Sequence, residues 1–322
     1  MISARSLDDR HRVVIVGAGR VGASIAFASL ISGVATSIVL VDRDAERAEG
    51  EAMDLVHGLP YVPPATVEAA TIAACADADV VILTAGAARQ PGDTRLDLAR
   101  RNLALIRELV PSVTATGFGG VFVVVSNPVD LATLAVQRLS GFPASRVIGT
   151  GTALDTARLR ALLGRHFDID ARNVHAYVIG EHGESEVPAW SLARIASLPL
   201  GEFARAVSRE WSVKVRDSIA DQVLRAGAEV IRRKGATNYA IAMATTKVAA
   251  SILRDARTVL TVSTVLDGEQ GESAVALSLP CIVGRAGRIT TIPLSLASDE
   301  AAALARSADL LRRAYDEADG PP

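Results

Sequence analysis

Short apolar runs alternate with segments of helical pattern through the first 150 residues, and this alternation restricts the fold more than any other feature of the sequence. Runs rich in Val, Ile and Leu lie at about 12–16, 37–42, 79–86, 121–128 and 146–149. A segment of helix length follows each of them. Strands that alternate with such helices form a parallel sheet covered on both faces. The sequence therefore predicts an α/β fold built on a doubly wound parallel sheet.

The pattern changes near residue 150. A helical segment at 153–167 leads to the run NVHAYVIG, and longer helices are predicted at about 209–234 and 238–255. Two β-rich runs, TVLTVSTVL and AVALSLPCIVG, and an amphipathic C-terminal helix complete the chain. This order predicts a second, α+β domain. We therefore expect a first domain at 1–150 and a second at 151–322.

Composition and charge exclude several classes of protein. The net charge of −2 and the lack of a long basic run argue against a nucleic-acid partner. No apolar run reaches about 18 residues, which argues against a membrane span, and the polar N-terminus lacks a signal-peptide core. The two cysteines, Cys75 and Cys281, are far apart and stand in no metal-binding motif. We expect a cytoplasmic enzyme without a bound metal.

The glycines of VVIVGAGRVGASIAF form a Gly17-x-Gly19-x-x-Gly22 motif between a strand and a helix. Such glycines permit a tight turn, a close approach of pyrophosphate to the backbone, and close helix–strand packing. Asp42 follows Gly22 by 20 residues at the next strand end, where a carboxylate binds the ribose hydroxyls. This spacing predicts a Rossmann domain that binds NAD rather than NADP. Two alternatives stay open: Arg43 holds a 2′-phosphate, or the sheet binds no nucleotide.

Further along, four stretches carry candidate catalytic groups. Asp155 and Arg158 lie three residues apart, on one face at the start of a helix. His182 lies in the glycine-flanked turn of VIGEHGESEVPAW, and Asn127 follows a parallel strand in SNPVD. Arg95 closes the loop TAGAARQPGDTR. Taken singly, each has an ordinary structural explanation as a cap, a turn residue or a solvated charge.

These stretches, the glycine motif and the later run KGATNYAIAMA together resemble the lactate/malate dehydrogenase family over nearly the whole chain. The resemblance implies reversible hydride transfer between NADH and a 2-oxo acid. Imidazole suits such a reaction because it serves as base for alcohol oxidation and as acid for the reverse. The resemblance implies that His182 is the acid/base and that Asp155 fixes the tautomer of His182. It also implies that Arg95 polarises the substrate carbonyl. The implied substrate contacts are Arg158, Asn127 and Thr237.

The resemblance also implies a set of cofactor contacts at the carboxyl ends of the strands. These are Gly17, Gly19, Arg20, Val21, Gly22, Asp42, Thr84, Ala85, Gly86, Asn102, Ser126 and Asn127.

Arg89 bears on the choice of substrate. The lactate dehydrogenases of this family have glutamine at the matching place, and the malate dehydrogenases have arginine. A guanidinium that faces the methyl of pyruvate is desolvated without a partner, whereas the second carboxylate of oxaloacetate pairs with it. We therefore expect malate/oxaloacetate, with L-lactate dehydrogenase as the alternative. If the loop shifts by one residue, Gln90 faces the substrate and lactate is favoured.

Arg160 and His175 suggest a second anion site. Arg160 follows Arg158 by two residues, so its side chain points away from the active-site face. In bacterial lactate dehydrogenases similar positions bind fructose 1,6-bisphosphate at a subunit interface. The resemblance suggests an allosteric homotetramer, with a dimer as an alternative. The competing structural explanation is a surface arginine and a core histidine.

Two other classes of function remain as alternatives. An NAD-dependent glycosidase on a related fold needs a metal site, usually with a cysteine and a histidine near the substrate. A non-enzymatic NAD-binding redox sensor keeps the glycines and Asp42 but has no need for the catalytic candidates.

Overall fold

The computed structural model describes residues 11–87 and 94–319, without the side chain of Arg95. Within these residues the main feature is a nine-stranded sheet with the order β14-β13-β12-β6-β5-β4-β1-β2-β3. Its strands are β1 (Arg12–Val16), β2 (Ser37–Val41), β3 (Thr66–Ala69), β4 (Val80–Leu83), β5 (Val121–Val124), β6 (Val147–Gly149), β12 (Thr258–Asp267), β13 (Ser273–Gly284) and β14 (Gly287–Thr291). The five remaining strands are two residues long: β7 (Val174–His175), β8 (Val178–Ile179), β9 (Val187–Pro188), β10 (Arg194–Ile195) and β11 (Leu198–Pro199).

Helices cover both faces of the large sheet and build the second half of the chain. They are α1 (Arg20–Ile31), α2 (Ala45–His57), α3 (Arg95–Thr114), α4 (Val129–Ser140), α5 (Ala153–Phe167), α6 (Leu200–Ala206), α7 (Val213–Lys234), α8 (Tyr239–Leu253) and α9 (Ser298–Asp319). None of these helices in the described part of the chain is long and apolar enough to cross a membrane.

Apart from the edge strand β3, the parallel part of the sheet is buried on both faces, as the apolar runs predict. In β1, Val13 and Ile15 pack in one core with residues of α1 and α8. Val14 and Val16 point to the opposite core, which α3, α4 and α9 cover. Alternate residues of a strand point to opposite faces, so a strand covered on both sides needs apolar residues throughout. The predicted α/β class with a Rossmann-type parallel sheet is confirmed.

The antiparallel strands β12, β13 and β14 extend this sheet from β6. β12 pairs with β6 at Ser263 and Gly149, and it pairs with β13 along most of its length. One continuous sheet therefore joins the segments before and after residue 150. Our division of the chain at that residue stays a prediction.

Several element bounds differ from the sequence prediction. The run 79–86 forms a strand only to Leu83, because the backbone N–H groups of Thr84 and Ala85 both donate to Val16 O and turn the chain. The run NVHAYVIG forms the two short strands β7 and β8 rather than one. The sequence patterns do not predict β3 and β14, which include exposed or half-exposed residues and lack a long apolar run.

Candidate active site

The glycine motif forms the turn between β1 and α1. Gly17 has a φ of +113°, which favours glycine, and a Cβ on Gly22 would lie 1.8 Å from Gly17 O. Gly19 is the N-cap of α1, makes no side-chain capping bond, and faces open space where a Cβ would stand. Protein packing thus explains two of the glycines. The third leaves room in front of a helix N-terminus, which fits the pyrophosphate of NAD.

Asp42 lies directly beyond β2, beside this turn. Its Oδ2 accepts the N–H of Ala18 at 2.7 Å, and its Oδ1 accepts the N–H of Asp44 at 3.0 Å. Each carboxylate oxygen has a second lone pair that remains for a ribose hydroxyl. The neighbouring Arg43 is exposed to solvent. The carboxylate is therefore held in place at the strand end, as an NAD-binding site requires.

The segments after β4 and β5 are joined by side chains from the predicted cofactor set. Ser126 Oγ donates to Ala85 O at 2.6 Å. The buried Asn102 of α3 accepts the N–H of Ala87 at 2.7 Å and donates to Asn127 O at 2.6 Å. These bonds fix the loops at the carboxyl ends of adjacent parallel strands, which is where doubly wound folds bind ligands. The side chain of Asn127 is exposed at this edge.

His182, Asp155 and Arg158 come together in direct contact. Nδ1 of His182 donates to Asp155 Oδ2 at 2.5 Å, and Arg158 Nη1 donates to Asp155 Oδ1 at 2.7 Å. The Asp155 side chain is 2% exposed, whereas that of His182 is 28% exposed. Asp155 and Arg158 lie one turn apart on α5, and His182 lies in the turn between β8 and β9. A buried carboxylate thus holds an imidazole and a guanidinium that both retain access to solvent.

His182 and Asp155 shift each other's pKa. Burial alone favours neutral His182, but the hydrogen bond and charge of Asp155, with the charge of Asp130, outweigh it and raise the histidine's pKa to about 9. Burial would raise the pKa of Asp155, but the bonds and charges of His182 and Arg158 outweigh it and lower that pKa. The imidazolium is therefore the resting form at neutral pH. It is ready to donate a proton from Nε2.

Asp130 contacts the backbone of His182, and the sequence did not predict this role. This residue of α4 is 3% exposed, and it accepts the backbone N–H of His182 at 2.8 Å and Ser263 Oγ at 2.6 Å. Burial raises the pKa of Asp130 to about 6, although its two hydrogen bonds oppose that shift. An acidic residue at a helix start usually faces solvent, so the sequence SNPVD suggested no buried role. The strand that supplies Ser263 also contains three threonines, so this serine gives no distinct signal in the sequence.

The turn that carries His182 is also attached to the C-terminal elements. Gly180 exchanges two backbone hydrogen bonds of 2.9 Å with Ser278 of β13. The N–H of Glu181 donates to Ser307 Oγ of α9, also at 2.9 Å. Together with Asp130 of α4, which lies before residue 150, these two elements fix the backbone at residues 180–182.

The other predicted residues are placed as follows. Thr237 is half-buried before α8, and Asn238 rather than Thr237 is the N-cap of that helix. Arg160 Nε donates to Ala176 O at 3.0 Å, and its guanidinium lies over the ring of Tyr177. His175 is exposed in β7, so it is not a core histidine. Arg89 and Gln90 lie outside the described residues, as does the side chain of Arg95.

Two family models match nearly all of the chain. The model of the lactate/malate dehydrogenase NAD binding domain matches residues 11–149. That of the lactate/malate dehydrogenase alpha/beta C-terminal domain matches residues 152–319. Among curated relatives, the chain is 46% identical to the L-lactate dehydrogenase of Synechococcus sp. (strain JA-3-3Ab) over 302 residues, 94% of this chain and 97% of the relative. It is 41% identical to that of Thermoanaerobacter sp. (strain X514) over 309 residues, 96% and 99% of the two chains.

Solved structures of proteins with lactate dehydrogenase names are also similar to this chain. The minor L-lactate dehydrogenase of Enterococcus mundtii in its ligand-bound form is similar, with a TM-score of 0.93 and 43% identity over 96% of this chain and 98% of the other. A lactate dehydrogenase from a Medee basin deep-sea metagenome library has a TM-score of 0.93 at 38% identity, over 97% and 99% of the two chains.

Proposed function

Because the chain belongs to the lactate/malate dehydrogenase family, we propose that it is an L-lactate dehydrogenase that interconverts lactate and pyruvate. The family resemblance predicted from the sequence is confirmed, and the chain is an NAD-dependent oxidoreductase that acts on the CH–OH group of a 2-hydroxy acid. The observation that supports the choice of acid is the identity of 41–46% to enzymes named L-lactate dehydrogenase. These relatives favour our alternative over the malate/oxaloacetate pair that we expected from Arg89.

His182 is the proposed acid/base. NAD, when bound, accepts the hydride from the alcohol or, as NADH, supplies it to the 2-oxo acid. In reduction, Nε2 of protonated His182 gives its proton to the oxygen of the new alcohol. Asp155 keeps the proton on Nδ1 through its 2.5 Å hydrogen bond, so that Nε2 is the nitrogen that faces the substrate. In lactate oxidation the same nitrogen takes the hydroxyl proton.

Arg158 is the proposed anchor for the substrate carboxylate. One of its terminal nitrogens is held by Asp155 at 2.7 Å, and its side chain is 19% exposed. A guanidinium retains further N–H donors that can bind a carboxylate in a bidentate manner. In this proposal the negative end of the substrate binds beside the histidine. Arg95 is proposed to polarise the carbonyl, Asn127 to contact substrate or nicotinamide, and Thr237 to line the pocket.

Malate/oxaloacetate remains the second candidate because of Arg89. That residue stands in the sequence Ala88-Arg89-Gln90-Pro91, where an arginine toward the substrate favours a second carboxylate. The lactate proposal requires that Gln90, rather than Arg89, faces the far end of the substrate. An uncharged amide there tolerates a methyl group without leaving a buried charge unpaired.

Competition between the two acids tests the proposal. We expect kcat/KM for pyruvate to exceed that for oxaloacetate in the wild-type protein, measured as NADH oxidation at 340 nm on one preparation. Arg89→Gln and Gln90→Ala form a matched pair of variants. If Gln90 faces the substrate, Gln90→Ala changes the pyruvate/oxaloacetate ratio, and Arg89→Gln leaves it nearly unchanged.

The opposite pattern contradicts the lactate assignment. Preference for oxaloacetate in the wild type, with a shift toward pyruvate in Arg89→Gln, would identify Arg89 as the specificity residue and the protein as a malate dehydrogenase. A site that pairs a polar group with its substrate discriminates by up to about 10⁴–10⁵, so the two outcomes are well separated. Inactivity with every 2-oxo acid would instead favour the NAD-binding sensor.

We also propose the assembly and regulation that the resemblance implies: a cytoplasmic homotetramer that binds fructose 1,6-bisphosphate at Arg160 and His175. The contact of Arg160 with Ala176 O places its side chain next to the residue that follows His175. Substrate saturation curves and sedimentation with and without the bisphosphate test this proposal. Unchanged half-saturation and unchanged oligomer content would refute it.

A further inference from the structure

Glu186 is an incompletely bonded acid at the edge of the proposed active site. It ends the turn that carries His182 and directly precedes Val187, which pairs with Ile179 across the two-stranded sheet of β8 and β9. Its Oε1 is shielded from solvent and has no hydrogen-bond partner in the described part of the chain. A buried polar atom of this kind is uncommon in folded proteins and calls for an explanation.

Charged groups from two parts of the fold influence the pKa of Glu186. Asp155 and Arg158 act from α5, and Glu181 and His182 act from its own turn. Burial raises its pKa to about 8, and the negative charges of Asp155 and Glu181 add to that shift. The positive charges of His182 and Arg158 oppose it. The side chain is therefore mostly a neutral acid at pH 7, and it becomes a carboxylate in mildly alkaline solution.

A purely structural role does not explain this arrangement. The neighbouring Glu181 shows what a structural carboxylate in this turn looks like, because its Oε2 accepts the N–H of Ser185 at 3.0 Å and the hydroxyl of Ser185 at 2.5 Å. Oε1 of Glu186 lacks such a bond, although the Glu186 carboxyl group lies close enough to Asp155, His182 and Arg158 to interact with their charges. Its strongest interactions are therefore with the groups that we propose to bind and protonate the substrate.

We propose that Glu186 is a positioning residue that acts through Arg158 and the His182–Asp155 pair and links substrate binding to the uptake of one proton. As a neutral acid it leaves the charge of Arg158 to the substrate carboxylate. As a carboxylate it adds negative charge beside that anchor and opposes the anionic substrate. When Glu186 starts ionised, one proton from solvent therefore accompanies each bound anion. The inference rests on the proposed 2-oxo acid site but not on the choice between pyruvate and oxaloacetate.

The pH profile of kcat/KM for 2-oxo acid reduction, at saturating NADH, tests the proposal. For the wild type, loss of the Glu186 proton near pH 8 and the His182 proton near pH 9 should lower kcat/KM about 20-fold between pH 7 and 9. In Glu186→Gln, which stays neutral, only the histidine contribution of about twofold should remain. Glu184→Gln is the matched control, because it makes the same change at an exposed glutamate of the same turn and should keep the wild-type profile.

An equal decline in the wild type and in Glu186→Gln would overturn the proposal, since a residue with only a structural role leaves the pH profile unchanged. If Glu186→Gln does not fold, proton uptake by the wild-type NADH complex decides the matter. The probe is oxamate, a pyruvate mimic that has an uncharged amide in place of the methyl group and keeps the carboxylate. Calorimetry in buffers of different ionisation enthalpy gives the number of protons taken up.

At pH 8.5 we expect uptake of about one proton per oxamate, of which His182 alone would account for about a quarter. Uptake below about half a proton would overturn the role of Glu186. The proposed function is tested separately, because it fails if the protein reduces neither pyruvate nor oxaloacetate. The proton count depends only on binding of the anion.

Discussion

Replacing Asp155 with asparagine tests why the pKa of His182, the proposed acid/base, is high. The substitution keeps the size of the side chain but removes the charge that contacts both His182 and Arg158. Burial of the imidazole, which lowers its pKa, is unchanged. Asp130 remains as a weaker compensating charge. We therefore expect the pKa of His182 to fall from about 9 to near or below 6.5, its ordinary value.

The size of the effect follows from that shift. A fall of about 2.5 pKa units corresponds to about 3 kcal/mol of lost preference for the imidazolium. At pH 7.5 nearly all wild-type His182 carries the proton that reduction needs, whereas about a tenth or less does so in the variant. Protonation alone should thus lower kcat/KM for 2-oxo acid reduction about tenfold or more. Oxidation of the 2-hydroxy acid needs the unprotonated base. The loss of oxidation activity at this pH should therefore be smaller than the loss of reduction activity.

Initial rates of NADH oxidation between pH 5 and 10 measure the predicted change. The wild-type profile should decline only above about pH 8, and that of Asp155→Asn above about pH 6.5. Asp170→Asn is the control, because it makes the same chemical change in a solvent-exposed pair with Arg172. The reasoning fails if Asp155→Asn keeps the wild-type alkaline limb, or if both reaction directions lose activity equally at pH 7.5.

Two further substitutions test the frame around the site. In Asp130→Asn, the amide accepts through only one oxygen, so either the His182 N–H or the Ser263 hydroxyl loses its buried acceptor. The free energy of unfolding should therefore fall by about 1–3 kcal/mol, whereas NADH affinity should not change. Unaltered unfolding by denaturant would contradict this expectation. In Gly22→Ala, the new methyl would collide with the backbone, so NADH affinity measured by fluorescence should fall at least tenfold, whereas Gly50→Ala in α2, which has open space, should bind NADH normally. Equal NADH affinities of Gly22→Ala and Gly50→Ala would show that the close packing of Gly22 is not needed for cofactor binding.

The sequence predicts β1, β2, β4, β5 and β6 well, because each of these parallel strands is mostly apolar and is followed by a helix. It predicts the edge strand β3 poorly, since the exposed Thr66 and Glu68 hide the short apolar pattern there. In the candidate site, the contact of His182 with Asp155 was expected only through the family resemblance. Residues 27 positions apart carry no periodic signal that would place them together.

Asp130 and Glu186 could not be predicted from the sequence for a different reason. Acidic residues are usually exposed, and only the fold shows that Asp130 is buried and that Glu186 is partly buried. The burial of Asp130 depends on β12, which lies more than 100 residues later in the chain. The environment of Glu186 depends on α5 and on the turn of His182. Long-range packing sets the protonation of both groups, and local sequence does not encode it.

The pairing of β6 with β12 has a consequence for exchanging parts between relatives. A hybrid that joins the first 150 residues of one family member to the remainder of another creates a junction at which Gly149 must fit beside Ser263, since a Cβ on Gly149 would lie 3.0 Å from the Cβ of that serine. The same serine carries the hydroxyl that Asp130 accepts. Such hybrids should therefore function when Gly149, Ser263 and Asp130 all have the same identities as in one parent. A hybrid that mixes them would misplace the histidine even though its cofactor half and its substrate half each came intact from a working parent.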